Sequence, residues 1–271
     1  VILKLQWNAK TVEILARVRR EQPLVHHLTN VVVTNITANV TLAVGASPVM
    51  AYAPEEVGEM ARLARAVVLN IGTLTSGQME AAMIAGEEAN RAGVPVILDP
   101  VGVGATGYRS RSVERILADV KVAVVRGNAA EIALMGGYRA GVRGVDALAE
   151  PEDMAGIVRD VSSRFGTVVA ATGATDYISD GGRLVEVHNG HPLLTRITGS
   201  GCMATAVVAA LRAVEEDGVL AATAALACFG YAAEIAAVGA GGPGSFQVRL
   251  FDALYGLQPE EAARGARIVP R

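Results

Sequence analysis

Residues 66–100 read AVVLNIGTLTSGQMEAAMIAGEEANRAGVPVILDP, and the architecture of the whole chain is repeated from this stretch. Ala66–Ile71 and Val94–Leu98 are near-continuous runs of Val, Ile, Leu and Ala, as expected where both faces of a parallel strand are covered. Between them Ser76–Ala92 has the length and pattern of a helix, so strand, helix and strand form a βαβ unit. The same alternation continues on both sides. Further strands are predicted at Ala46–Ala51, Val122–Val125 and Thr167–Ala171, and further helices at Pro54–Arg65, Arg111–Ala118, Ala129–Met135 and Glu152–Arg164. Asp176–Ser179, Gly181-Gly182 and Arg183–His188 read as a hairpin. From about Gly201 onward the pattern is helical, over Met203–Glu216, Val219–Val238, Ser245–Tyr255 and a short piece near Pro259. With no internal repeat and no low-complexity linker, residues 1–271 are expected to form one α/β domain of three layers. Its sheet is mainly parallel, with helices on both faces.

Composition narrows the partners. The chain has 271 residues, 51% hydrophobic and 19% charged, with a formal net charge of −3. A chain this long buries roughly three quarters of its unfolded surface, enough for one large core. A near-neutral balance speaks against a nucleic-acid partner, which calls for a basic stripe. Arg17, Arg19 and Arg20 are the one tight basic cluster and fit a solvated helix face. Cys202 and Cys228, the only cysteines, cannot supply a four-cysteine zinc site or a disulfide framework, which favours a reducing compartment. The first residues lack the basic region and apolar run of a signal peptide. The longest apolar stretch, Leu220–Ala233, is shorter than a bilayer span and reads as a buried central helix. No membrane association and a cytoplasmic location are therefore expected.

Open α/β sheets bind ligands beyond the carboxyl ends of their strands. Here those ends carry Asp99-Pro100, Arg126-Gly127-Asn128 and Thr172-Gly173. Gly102–Gly107 is a formal G-x-G-x-x-G, but Asp99-Pro100 separates it from its strand. Tyr108-Arg109-Ser110 is expected to delay the helix, and Asp119 falls before the next strand instead of ending it. A dinucleotide fingerprint is thus disfavoured, leaving a flexible glycine loop or one that closes over a phosphate or substrate. No Walker A motif occurs, and none of Lys4, Lys10 and Lys121 lies in a glycine loop. If a cation binds triphosphate it is an arginine, and Arg126 is best placed, unless it is an isolated surface residue.

Thr198-Gly199-Ser200-Gly201-Cys202-Met203-Ala204-Thr205 opens a long apolar helix. Free amides and the helix dipole at such a start make an anion site, and glycines let an anion come close. The alternative is a capped helix with a small buried cysteine. In the first turn the positive helix end is expected to lower the Cys202 thiol pKa, whereas Cys228 reads as core. Asn128-Ala129-Ala130-Glu131 sets an amide and a carboxylate three residues apart at another helix start. That spacing suits either water-mediated magnesium binding near phosphates or an Asn cap with a capping-box Glu.

Taken together these motifs resemble the vitamin-kinase branch of the ribokinase superfamily. Arg126–Glu131 is similar to its N-x-x-E magnesium motif, and Thr198–Cys202 to its anion-hole loop, with Cys where most members carry Asp. Leu28–Asn35, Gly45–Met50, Leu69–Leu74 and Val96–Gly102 match in the same order, and the resemblance runs from about Gln22 to the final helices. The Cys is the mark of the hydroxyethylthiazole kinases. The resemblance implies ATP- and Mg2+-dependent phosphorylation of the hydroxyl of 4-methyl-5-(2-hydroxyethyl)thiazole, a step toward thiamine. It implies thiazole contacts from Met50, Asn30 and Asn35, and ATP contacts from Arg126, Thr172 and Asn128. Gly199 would lie at substrate and phosphate, Gly199 and Gly201 would belong to the anion hole, and Cys202 would face the hydroxyl. Magnesium would fall to Asp99 and Glu131, and a homotrimer would carry its sites between subunits. Hydroxymethylpyrimidine or pyridoxal kinases, a nicotinamide-hydrate dehydratase, and a non-catalytic ATP- or thiazole-binding regulator are the competing readings. An Asp in the anion loop would favour the first three.

Overall fold

Successive residues of a strand point to opposite faces, so a strand buried on both sides feeds two cores. Val68, Ile97 and Val124 pack into one hydrophobic cluster, while their neighbours Val67, Leu98 and Val125 pack into the other. This is the reason those segments carry no polar alternation. The computed structural model describes residues 2–138 and 153–271. In chain order the elements are α1 (Ile2–Glu21), β1 (Leu24–Leu28), α2 (Thr34–Val44), β2 (Ser47–Val49), α3 (Pro54–Leu63), β3 (Ala66–Asn70), α4 (Ser76–Arg91) and β4 (Val96–Asp99). Then follow α5 (Gly107–Asp119), β5 (Val122–Asn128), α6 (Ala129–Met135), α7 (Met154–Phe165), β6 (Val168–Thr172), β7 (Asp176–Ser179) and β8 (Leu184–Val187). After a 3₁₀ turn at Pro192–Arg196 come α8 (Ser200–Arg212), α9 (Gly218–Ala237), α10 (Pro243–Gly256), α11 (Pro259–Gly265) and β9 (Ile268–Pro270).

The nine strands lie in the order β2-β1-β3-β4-β5-β6-β7-β8-β9. The first six are mutually parallel and the last three antiparallel. One cluster joins the sheet to α1, α2, α8, α9 and α10 through residues such as Ile14, Val40, Leu211 and Phe246. The other joins it to α3–α7 through Val57, Met83, Ile116, Ile132 and Val158. The three-layer α/β reading with a mainly parallel sheet holds.

Several boundaries differ from the sequence reading. β1 was not foreseen because His26 and His27 interrupt its apolar run, yet both are buried. Thr41 Oγ1 donates to the carbonyl of Thr37, so its contact with His27 Nε2 (3.1 Å) is one it accepts. Burial drives the His27 pKa down to about 3 and keeps the ring neutral. The strand read at Ala46–Ala51 shrinks to Ser47–Val49 at the sheet edge, where Pro48 is tolerated. β5 runs on to Asn128, so Arg126 and Gly127 belong to the strand and not to a loop behind it. α5 begins at Gly107, capped by Thr106 Oγ1, instead of after the Tyr108–Ser110 delay. The predicted start of α7 at Glu152 falls outside the described residues. α9 has twenty residues, enough in length to cross a bilayer, but most of it is packed inside the protein as a core helix. Asp217 caps it by accepting from Val219 N and Leu220 N. Arg19 is not merely solvated, since its guanidinium donates to the carbonyls of Leu254 and Tyr255.

Candidate active site

In the order 2-1-3-4-5-6 the direction of winding reverses between β1 and β3, and such a switch point opens a crevice at the strands' carboxyl ends. Asn30 follows β1 by two residues, and Asn70 ends β3 in register with Asp99 at the end of β4. The first turns of α8 pack over these ends and bring Cys202 and Thr205 down onto them.

The polar groups there form one continuous chain. Asn70 Nδ2 donates to Asp99 Oδ2 at 2.7 Å and to Cys202 Sγ at 3.2 Å. Asn70 Oδ1 accepts from Asn30 Nδ2 at 2.9 Å and from the Gly72 N–H at 3.0 Å. Asn30 Nδ2 also approaches Cys202 Sγ at 3.7 Å, and Thr205 Oγ1 donates to Asp99 Oδ2 at 3.0 Å. Asp99 is entirely buried, and its second oxygen, Oδ1, has no hydrogen-bond partner among the described residues. Burial pushes its carboxyl up to about 6, against the pull of Arg126 and with a smaller push from Glu131. The Cys202 thiol is driven up to about 12, by burial first and the neighbouring Asp99 charge second. The expectation of a lowered thiol pKa is therefore wrong. Desolvation and a nearby carboxylate outweigh the helix end.

Arg126 reaches the anion loop from β5. It is only 7% exposed, and its Nη2 donates to Thr172 Oγ1. A Cβ placed on Gly201 would lie 2.5 Å from Arg126 Nη1, so the glycine makes room for the guanidinium directly beside the helix start. Gly199 caps α8 with φ of +81°, and a Cβ there would meet Val33 and Ile36. No side chain caps α8, and first-turn amides of a helix have no partner within it. The reading of Arg126 as an isolated surface residue is excluded.

Asn128 and Glu131 form the capping box: Asn128 Oδ1 accepts from Glu131 N at 2.9 Å, and Glu131 Oε2 from Asn128 N at 2.8 Å. Glu131 Oε1 in turn accepts from Gly102 N at 2.8 Å, tying down the glycine loop after β4. Arg109 fastens the same loop, donating to the carbonyls of Ile71, Gly72 and Val101. Among the described residues no group of three or more His, Cys, Asp and Glu side chains could hold a metal by itself. The orphaned Oδ1 of Asp99 and the remaining lone pairs of Glu131 are nevertheless hard oxygen donors. Such donors fit magnesium that arrives with a nucleotide, since this ion is held by one or two carboxylates plus phosphates.

The two outlying candidates lie at the edges of this centre. Met50 is half-buried just beyond β2, next to Ala51, whose carbonyl accepts from His26 Nε2 at 2.8 Å. Asn35 is exposed on α2 and accepts from Asn39 Nδ2; it makes no contact with the Asn30–Asn70 chain. Asn70, Thr205 and Arg109 were given no role by sequence reasoning. The available signal was a polar residue closing a fully apolar strand, VVLN as in VILD.

This sheet order, with an uncapped glycine start of a helix facing the strand ends, defines a ribokinase-like protein. A ribokinase-like superfamily protein of Enterococcus faecalis shares the fold, with a TM-score of 0.62 at 11% identity over 85% of this chain and 86% of that one. The Hydroxyethylthiazole kinase family profile matches residues 15–260. Hydroxyethylthiazole kinase of Moorella thermoacetica is 58% identical over 264 residues, covering 97% of this chain and 99% of that protein. The structure of the hydroxyethylthiazole kinase protein from Pyrococcus horikoshii superposes with a TM-score of 0.87 at 46% identity, covering 96% and 98% of the two chains. The chain belongs to the hydroxyethylthiazole kinase family.

A buried carboxylate with a raised pKa destabilises the folded state whenever it is charged. Asp99→Asn keeps an acceptor for Asn70 and Thr205 while removing that charge. It is expected to stabilise the protein by roughly 1–3 kcal/mol at pH 8. The gain should shrink as pH falls through about 6, where the native carboxyl takes up its proton. Thermal unfolding against pH measures this, and a variant less stable at pH 8 would contradict the assigned burial cost.

Proposed function

We propose that this protein transfers the γ-phosphoryl group of ATP to the hydroxyl of 4-methyl-5-(2-hydroxyethyl)thiazole, in the salvage of thiamine, and that residues 1–271 form one kinase domain acting in the cytoplasm. The observation that carries the proposal is the convergence of the α8 start, Arg126 and the Asn70–Asp99–Cys202 chain at the switch point. Phosphoryl transfer spreads charge over the γ-phosphoryl oxygens and needs in-line positioning and electrostatic stabilisation above all. The amides of Ser200, Gly201 and Cys202 meet that charge at the positive end of α8, and Arg126, steadied by Thr172, adds a cation beside them. Gly199, in its left-handed conformation, turns the chain so that these amides face the reacting group. Magnesium, held by Asp99 and Glu131 together with phosphate oxygens, would neutralise β- and γ-phosphoryl charge when bound. Asn30 and the Met50 segment border the acceptor side.

Cys202 contacts the acceptor hydroxyl in this reading but does not take its proton. A thiol near 12 stays protonated at neutral pH, which disqualifies it as a general base. An ADP-release assay over thiazole, hydroxymethylpyrimidine and pyridoxal alcohols is the direct test, run on the parent protein, Cys202→Ala and Gly201→Val. The parent should turn over the thiazole in preference to the other two. Cys202→Ala should stay within about tenfold of it, whereas Gly201→Val, which displaces the Arg126 guanidinium, should lose about 10²–10³ in rate. Preference for another alcohol would refute the substrate assignment. An inert Cys202→Ala beside an active Gly201→Val would reverse the roles of thiol and anion hole.

We infer in addition that the sites lie between subunits of a homotrimer. Val31 and Val32, immediately after Asn30, are 73% and 61% exposed, and Met50, which follows the edge strand β2 paired with β1, is half-buried. A neighbouring subunit would cover these apolar groups. Sedimentation should find a trimer, and a fully active monomer would overturn the inference.

A further inference from the structure

Asn70 is the one side chain that touches every other member of the buried polar chain except Thr205. Its orientation is settled by its partners. The Gly72 N–H and Asn30 Nδ2 can only donate, so the Asn70 oxygen faces them. Asn30 is fixed in the same way, because its own oxygen accepts from the Val32 N–H at 3.1 Å. Both protons of the Asn70 amide are thus directed at Asp99 and Cys202. Gly72 is part of the device: a Cβ there would lie 2.5 Å from Asn30 Nδ2 and push that amide out of line.

Two consequences follow for the groups at the acceptor site. Asp99 Oδ2 takes both available donors, Asn70 and Thr205, so the carboxylate's rotation is set and Oδ1 is left as its one unengaged oxygen. The Cys202 sulfur receives two amides, Asn70 Nδ2 at 3.2 Å and Asn30 Nδ2 at 3.7 Å. Two donors that converge on one sulfur fix where that atom sits, and so select the Cys202 rotamer.

We propose that Asn70 is the positioning residue of the phosphoryl-acceptor site, setting the rotation of the Asp99 carboxylate and the rotamer of Cys202 through the two protons of one amide. This rests on the proposed alcohol-kinase function for its kinetic consequence, but not for its geometry. Asn70 acts through its neighbours, so its removal should lower the turnover rate and leave nucleotide affinity alone. A lost hydrogen bond to a charged group corresponds to a fall in kcat of about ten- to a hundredfold.

The test measures kcat and both KM values for Asn70→Ala, Asn70→Ser, Asp99→Asn and the Asn70→Ala/Asp99→Asn double variant. Wholly buried Cys228 reports folding, because it stays unreactive to iodoacetamide in any intact variant. Asn70→Ala should lose kcat by the stated factor with KM for ATP within about twofold of the parent. Asn70→Ser, which retains one donor, should lose less. The double variant should be no slower than Asp99→Asn alone, since the two residues act as one unit. Losses that multiply in the double variant, or a KM for ATP that rises in step, would overturn the proposal. So would a variant that is destabilised but kinetically normal. If Asn70→Ala exposes Cys228, the comparison passes to Asn70→Ser, whose unchanged kcat would equally overturn it. A parent protein inert toward every alcohol would refute the function instead. The geometry is then read from the Asn70 side-chain amide protons by NMR, which should exchange slowly with solvent; fast exchange of both would defeat the positioning role.

Discussion

A wholly buried carboxylate, Asp99, is clamped between the end of β4 and the second turn of α8, and the arrangement of the site depends on that clamp. Taking an ionised group out of water is costly unless hydrogen bonds compensate. Here only one oxygen is compensated, by an amide and a hydroxyl, and the other is not. Structures tolerate such an imbalance where function requires it. The Asp99 interaction also fixes α8 against the sheet, since Thr205 on that helix is one of its two donors. Once α8 is placed, its uncapped start, the Gly199 turn and the Gly201 gap beside Arg126 fall over the strand ends without further adjustment.

The close approach of α8 is made by small side chains. Ala206 and Ala209 are buried and share the helix face that carries Cys202 and Thr205, and bulkier residues there would lift the helix away from Asp99. The same economy explains why a cysteine fits at 202. Its compact sulfur receives two amides and lies beside a carboxylate without requiring a charge of its own. A second carboxylate at that position would add a like charge beside Asp99 in the same desolvated surroundings. The thiol is the neutral solution in a site where one buried charge is already present.

Much of this was legible in the sequence, for physical reasons that can be named. The glycines before α8 marked a helix start that no side chain caps, and β3, β4, β5 and β6, apolar on both faces, announced themselves as parallel strands. β1 did not, because its two histidines look polar until burial makes them neutral. α2 was hidden by its Thr and Val content, which has weak intrinsic helix propensity and is held in place by packing against α8 and α10. Arg126 was singled out as the candidate cation and the fold buries it beside the start of α8, but its proximity to Gly201 joins residues far apart in the chain and has no local signature. The sign of the Cys202 shift was misjudged for the same reason. A helix start is visible in sequence, whereas the carboxylate and the desolvation that overrule it are properties of the assembled site. Glu131 shows both readings at once. It is the capping residue its spacing suggested, and it also spends an oxygen on Gly102, a link that only the fold reveals.

We propose that backbone amides at the start of α8, assisted by Arg126, receive the transferred phosphoryl group. Amide resonances of Ser200, Gly201 and Cys202, followed during addition of magnesium and a non-hydrolysable ATP analogue, test it most directly. These three amides and the Arg126 guanidinium should shift more than those of any other element. Large shifts confined to the Gly102–Gly107 loop, with the start of α8 unmoved, would contradict it.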